Sequence, residues 1–296
     1  MDRKFYKRDN QNLCTYICIF DWGGYYLRGN FKISYSIKKI KQFLLNYWIV
    51  LFLLMIVSSI IGYRPNIKDM LLEMFGLKLY VMRFCWYVSF YIILMILLPI
   101  YVKFLKIKES LLCDISISIV FCVILQVLAK LVEKIDNYTV MSGVAIYLPV
   151  AIMGYLLTKY DVLNRIRDKF QKWGNFQIIV GIILICSALV LHGVKGYVKG
   201  VSSGIILVPM LVEGIALMQI NFERYFEKIF LILGKNSMNI WFFHCAFFSM
   251  ATRNIFQPIA YIVKIPILVV CWILFLCTIV SIPVEKLQKW VNNKIV

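Results

Sequence analysis

Phe43-Leu-Leu-Asn46-Tyr47-Trp48-Ile-Val-Leu-Phe-Leu-Leu-Met-Ile-Val-Ser-Ser-Ile-Ile-Gly62-Tyr63 runs for 21 residues without a charge. As a helix it rises about 30 Å at 1.5 Å per residue, the thickness of a bilayer's hydrocarbon core. Hydrocarbon offers no partner to an unpaired backbone amide, so a segment that crosses it is helical. The rest of the chain repeats the pattern at 85–102, 111–129, 139–158, 176–192, 201–220, 237–256 and 259–283. The expected fold is all-α: a polytopic transmembrane bundle of about eight spanning helices.

Composition excludes a soluble domain. Of the 296 residues 61% are hydrophobic and 16% charged, with a mean hydropathy of +0.79; soluble domains carry about a quarter of their residues as charges. A net charge of +18 would direct a soluble protein to nucleic acid. Here the charge sits in short loops between apolar runs, so a lipid bilayer, and not nucleic acid, is the expected partner. If the segments alternate from a cytoplasmic N-terminus, 23 of the 33 Lys and Arg fall inside and 10 outside. That excess places both termini in the cytoplasm. The nine cysteines are scattered, mostly within apolar runs, and form no Cys-x2-Cys pair, so neither a metal nor a bound cofactor is expected.

Two stretches stand apart. Residues 1–42 read as a basic cytoplasmic or interfacial segment ahead of a transmembrane domain at 43–296. In it Cys14–Leu27 is too short to span and is interrupted by Asp21 and Gly23-Gly24. No cleavable signal peptide is visible in it. In the longest outside loop, 64–84, apolar residues recur at helical spacing over Ile67–Phe75. That piece either lies on the outer membrane surface or packs on the bundle as a loop helix.

Ionisable groups inside a bilayer are costly and each needs an account. Glu213, in Pro209-Met-Leu-Val-Glu213-Gly214, is protonated, paired or turned to a wet cavity, or it is a packing residue beside a Gly and Pro kink. His244 stands eight residues beyond Asn236, about 12 Å along a helix. Asn236 and Ser237 are capping types, and with Asn239 they suggest one polar face leading from the cytoplasmic mouth toward His244. The imidazole is either a base or binding group, or a satisfied structural residue. Asp114, Arg83 and His192 lie nearer the ends of their segments; His192, beside Gly193, is solvated there, and Lys264 can snorkel to the interface. No Ser-His-Asp order, Gly-x-Ser-x-Gly, His-Glu-x-x-His or phosphate-binding loop is present.

Leu231-Ile-Leu-Gly234-Lys235-Asn236-Ser237-Met-Asn239-Ile-Trp241-Phe-Phe-His244 resembles the late-helix motif of the family 3 membrane acyltransferases. Arg83-Phe-Cys-Trp86-Tyr87-Val-Ser89-Phe-Tyr91, with Leu97-Leu98-Pro99 behind it, is similar to the aromatic start and proline exit of an earlier helix of that family. Ser36-Ile-Lys38-Lys39-Ile-Lys41 ahead of Asn46-Tyr47-Trp48 is a fainter likeness. The resemblance implies transfer of an acyl group, usually acetyl, from a cytoplasmic acyl-CoA such as acetyl-CoA to a hydroxyl of a cell-envelope or exported glycan, often lipid-linked. It implies an integral protein of a bacterial cytoplasmic membrane, with His244 in the catalytic role. Asn236, Ser237, Asn239, Glu213 and Trp86 would then bind substrate. Members usually number about ten helices and begin with one bearing a His near a Gly, then one with a Ser-Gly-Tyr stretch. Here Gly23-Gly24-Tyr25-Tyr26 looks like the tail of that second helix, and the first-helix His has no counterpart. The expectation is a member lacking one or two helices, inactive alone or completed by separately encoded ones. The competing reading is a transporter or flippase-like subunit of polysaccharide export, with Glu213 as its coupling residue.

Overall fold

A computed structural model describes residues 33–77, 81–82, 86–105, 110–136, 140–172, 174, 176–195, 210, 214, 217, 228–229, 231–247, 249 and 251–295. In chain order they form α1 (Ile33–Ile60), α2 (Ile67–Met74), α3 (Trp86–Leu105), α4 (Leu111–Asp136), α5 (Val140–Lys159), α6 (Val162–Gln171), α7 (Phe176–Lys195), α8 (231–247), α9 (Arg253–Ala260) and α10 (Pro266–Ile295). No strand occurs among the described residues. Four helices there are long and apolar enough to cross a membrane: Ile33–Ile60, Val88–Leu105, Leu111–Leu128 and Leu268–Ile295. This is an all-α membrane protein.

The ends of several elements differ from the sequence expectation. α1 starts at Ile33, so Lys38, Lys39 and Lys41 stand on the same helix as the apolar run. The expected span 237–256 is not one helix. α8 ends at 247, and a turn precedes α9. In that turn Thr252 Oγ1 donates to Ala246 O at 2.6 Å, and Ser249 Oγ accepts from Ala251 N at 3.3 Å. Hydroxyl side chains that bond nearby backbone compete with the helical ladder. The expected span 259–283 begins only at Pro266, whose missing amide costs nothing in a first turn, and it continues to Ile295. The expected segment 201–220 lies outside the described residues except at 210, 214 and 217, as does everything before Ile33.

The chain divides into two compact units. In the unit holding residues 32–100, 132–143 and 235–296, Tyr47, Val50, Leu51 and Leu54 form a buried stripe on α1. Their i, i+3, i+4, i+7 spacing is one helix face. Phe52, Leu53, Ile56 and Ile60, equally apolar, are exposed, as a lipid-facing side requires. Phe43 stacks on Tyr91 with ring centroids 4.2 Å apart, and Phe242 of α8 lies 5.3 Å from Tyr47.

The position of α2 decides between its two readings. Tyr47 OH donates to Glu73 O at 2.9 Å and Trp48 Nε1 to Met74 O at 2.8 Å. Tyr47 lies about 20 Å along α1 from its end at Ile60. A phenol cannot reach that far, so α2 folds back beside α1 and packs on the bundle; it does not lie flat on the outer surface. The chain leaving α2 is then pinned. Glu73 is fully buried and its carboxylate accepts from Val81 N at 2.7 Å and Met82 N at 2.6 Å. Gly76 has φ +67, and a Cβ there would come within 2.8 Å of Ser89 Oγ, so only glycine fits.

In the other unit, residues 101–131 and 144–234, Asp114 in the first turn of α4 is wholly buried. It pairs with Lys159 Nζ at 2.5 Å and accepts from Tyr160 OH at 2.7 Å. A buried carboxylate is tolerated when paired and hydrogen-bonded in this way. Ser118 and Tyr101 share a 2.8 Å hydrogen bond one turn further on. Gly214 is buried where a Cβ would meet Gly181 O of α7 at 2.9 Å and Ile185 Cγ1 at 2.7 Å, so glycine permits a close backbone approach there.

Candidate functional site

α8 brings four of the expected site residues onto one element: Asn236, Ser237, Asn239 and His244. The helix already runs from 231, so Asn236 and Ser237 are interior residues and not caps. Asn236 and Asn239 are buried, and Ser237 is half-buried. Their buried side does not continue to His244. At 3.6 residues per turn His244 lies about 80° around the helix from Asn236 and about 140° from Asn239. It stands half-exposed at the edge of the buried face, so one straight polar face from mouth to imidazole is ruled out.

Asn239 is occupied by protein. Its Nδ2 donates to Gln288 Oε1 and its Oδ1 accepts from Gln288 Nε2, both at 2.8 Å. Gln288 Nε2 also donates to Asn46 O at 3.0 Å, and Asn292 Nδ2 donates to Asn46 Oδ1 at 2.7 Å. These amides tie α8 to α1 and to the C-terminal half of α10. At the edge of the group Glu285 pairs with Lys289 at 2.8 Å and Lys235 at 3.7 Å. Both lysines are exposed, and such pairs contribute little. Gln288 and Asn292 were missed from sequence because they follow the apolar run and read as cytoplasmic tail. Their signal was the i, i+4 spacing of two amides in a helical continuation.

His244 has a defined ring orientation. Its Nδ1 is hydrogen-bonded to Trp241 O one turn back, and the His244 and Trp241 rings lie 4.7 Å apart. A carbonyl only accepts, so Nδ1 carries the proton in this contact. In that tautomer the neutral ring carries its lone pair on Nε2, while Cys245 Sγ stands 3.9 Å from Nδ1. That is the form a general base needs.

The remaining expected residues are not brought to this place by the described structure. Glu213 lies outside the described residues; its neighbour Gly214 packs on α7, in the other unit. Trp86 is the first residue of α3, and its side chain lies outside the description. His192 stands near the end of α7 under the same limit.

The acyltransferase domain family of class 3 matches residues 15–286, nearly the whole chain. The protein belongs to the acyltransferase 3 family. The match spans both the α1 and α8 regions, where the sequence motifs lie, and it makes this a membrane acyltransferase in general class. No curated protein and no solved structure matches the chain.

Proposed function

We propose that this family member transfers an acyl group, acetyl being the expected one, from a cytoplasmic acyl-CoA to a hydroxyl of a cell-envelope or exported glycan. The observation that carries this reading is His244 on the family's late-helix motif, with Nδ1 committed to Trp241 O. Nε2 would take the proton of the sugar hydroxyl as its oxygen attacks the thioester carbonyl. The C–O bond forms, the C–S bond breaks, and the CoA thiolate departs and takes up a proton. Asn239 and Gln288 would hold α8 in register without touching substrate, and the substrate-binding role would fall to Asn236 and Ser237 on the same helix. Both termini are assigned to the cytoplasm by the basic-residue excess, which puts Asn236 nearer the donor's side.

A cavity of about 440 Å³ lies behind α8, walled by Leu54, Val57, Phe243, Phe247, Phe256 and Val280. Its apolar walls suit the hydrocarbon anchor of a lipid-linked sugar better than a free one. The test is the ester-bound acyl content of envelope glycan in cells expressing the chain or its His244→Gln variant at equal membrane level. Acylation that rises with the wild type and stays at background with the variant supports the reading. Acylation by the variant equal to wild type removes His244 from the mechanism.

A further inference from the structure

α4 carries a stripe that the protein leaves uncovered. Ile115, Ile119 and Val123 follow one another at i+4 spacing and are exposed. They form one wall of a groove of about 510 Å³, with Ile152 and Leu156 of α5 opposite. From Leu111 to Gln126, both of which line it, α4 rises about 22 Å. That exceeds half of the roughly 30 Å hydrocarbon core, so the groove is long enough for a chain entering at one surface to reach the bilayer midplane.

One end of the groove is basic. Tyr160 and Val162 line it there, and Val162 is the first residue of α6. On α6, Arg165 and Lys169 recur one turn apart on the side that Val162 begins. Both are exposed, and neither forms an ion pair among the described residues. Lys159 is different, since Asp114 already holds its ammonium. The unspent positive charge is therefore on α6, beside the mouth of an apolar slot. Asp161, between Tyr160 and Val162, and Asp168 reduce it, but Arg165, Lys169 and the exposed Lys172 leave a positive excess.

We propose that the α4–α5 groove holds one hydrocarbon chain of an anionic phospholipid, whose phosphate rests on Arg165 and Lys169. A zwitterionic lipid would fill the slot equally but gain nothing from the basic end, so charge selectivity is the distinguishing property. The full-length protein, stripped of lipid in neutral detergent, is melted with phosphatidylglycerol, phosphatidylcholine or palmitoyl-CoA added. Phosphatidylglycerol should raise Tm by about 3 °C or more beyond phosphatidylcholine, since a ligand of the folded state stabilises it by mass action. Arg165→Gln with Lys169→Gln should abolish the excess. Ile119→Trp, which narrows the groove from an exposed position, should reduce it even if the double variant fails to fold. Equal shifts from the two lipids, or an excess that survives in the double variant or in Ile119→Trp, would overturn the proposal. A shift with palmitoyl-CoA and none with phosphatidylglycerol would overturn it by assigning the groove to a thioester.

Discussion

Glu73 is a carboxylate with no exposed surface on a helix of only eight residues. Its oxygen Oε1 receives two backbone amides, from Val81 and Met82, both of which lie at bends outside any helix. Glu73→Ala strands both donors, at a cost of about 1–3 kcal/mol each. Glu73→Gln keeps an acceptor oxygen in place and should lose much less. Thermal melting in detergent checks this, and equal losses from the two variants would contradict the assigned role. At His244 the expectation is opposite in kind: His244→Gln should cost about 100-fold or more in transfer, the low end of general-base effects, with Tm nearly unchanged. A fall in Tm matching the fall in activity would mark the ring as structural. His244 was legible in sequence as an imidazole deep in an apolar run. Glu73 was visible only as part of an amphipathic turn, because its partners are main-chain groups that leave no trace in residue type.

The amide group joining α8, α10 and α1 acts at the scale of elements. Asn239 and Gln288 satisfy each other, so removing either leaves the other with buried unpaired groups. Gln288→Leu and Asn239→Leu should each destabilise by about 1–3 kcal/mol. The double variant should cost less than the sum, with a coupling of about 0.5–3 kcal/mol on melting or denaturant unfolding. Additive losses would show that the pair is not an energetic unit. Gly214→Leu should also destabilise, because its side chain would enter the space of Gly181 O and Ile185. The apolar runs at 85–102, 139–158 and 176–192 predicted the helices α3, α5 and α7 nearly in place, since hydropathy alone decides such segments. It failed at 237–256, where Ser249 and Thr252 break an otherwise apolar stretch by bonding backbone. It also failed at the end of α10, where helix continues past the hydrocarbon run into polar residues.

For the whole molecule, orientation rests on the charge distribution. If the eight expected segments alternate from a cytoplasmic N-terminus, 23 of the 33 basic residues fall inside; on that reading a fluorescent reporter fused after Val296 should light up in the cytoplasm, and a reporter active only outside should stay dark. The reverse pattern would overturn the topology and with it the donor's side of the membrane. The family match covers α1 to most of α10 and makes acyl transfer the property to test. The most direct measurement is transfer by the purified chain in lipid vesicles supplied with acetyl-CoA labelled in the acetyl group and a lipid-linked glycan acceptor. Label should appear in ester linkage on the glycan with the wild type and fall to background with His244→Gln. Label transferred equally by both proteins, or by neither when each is folded and inserted, would contradict the account.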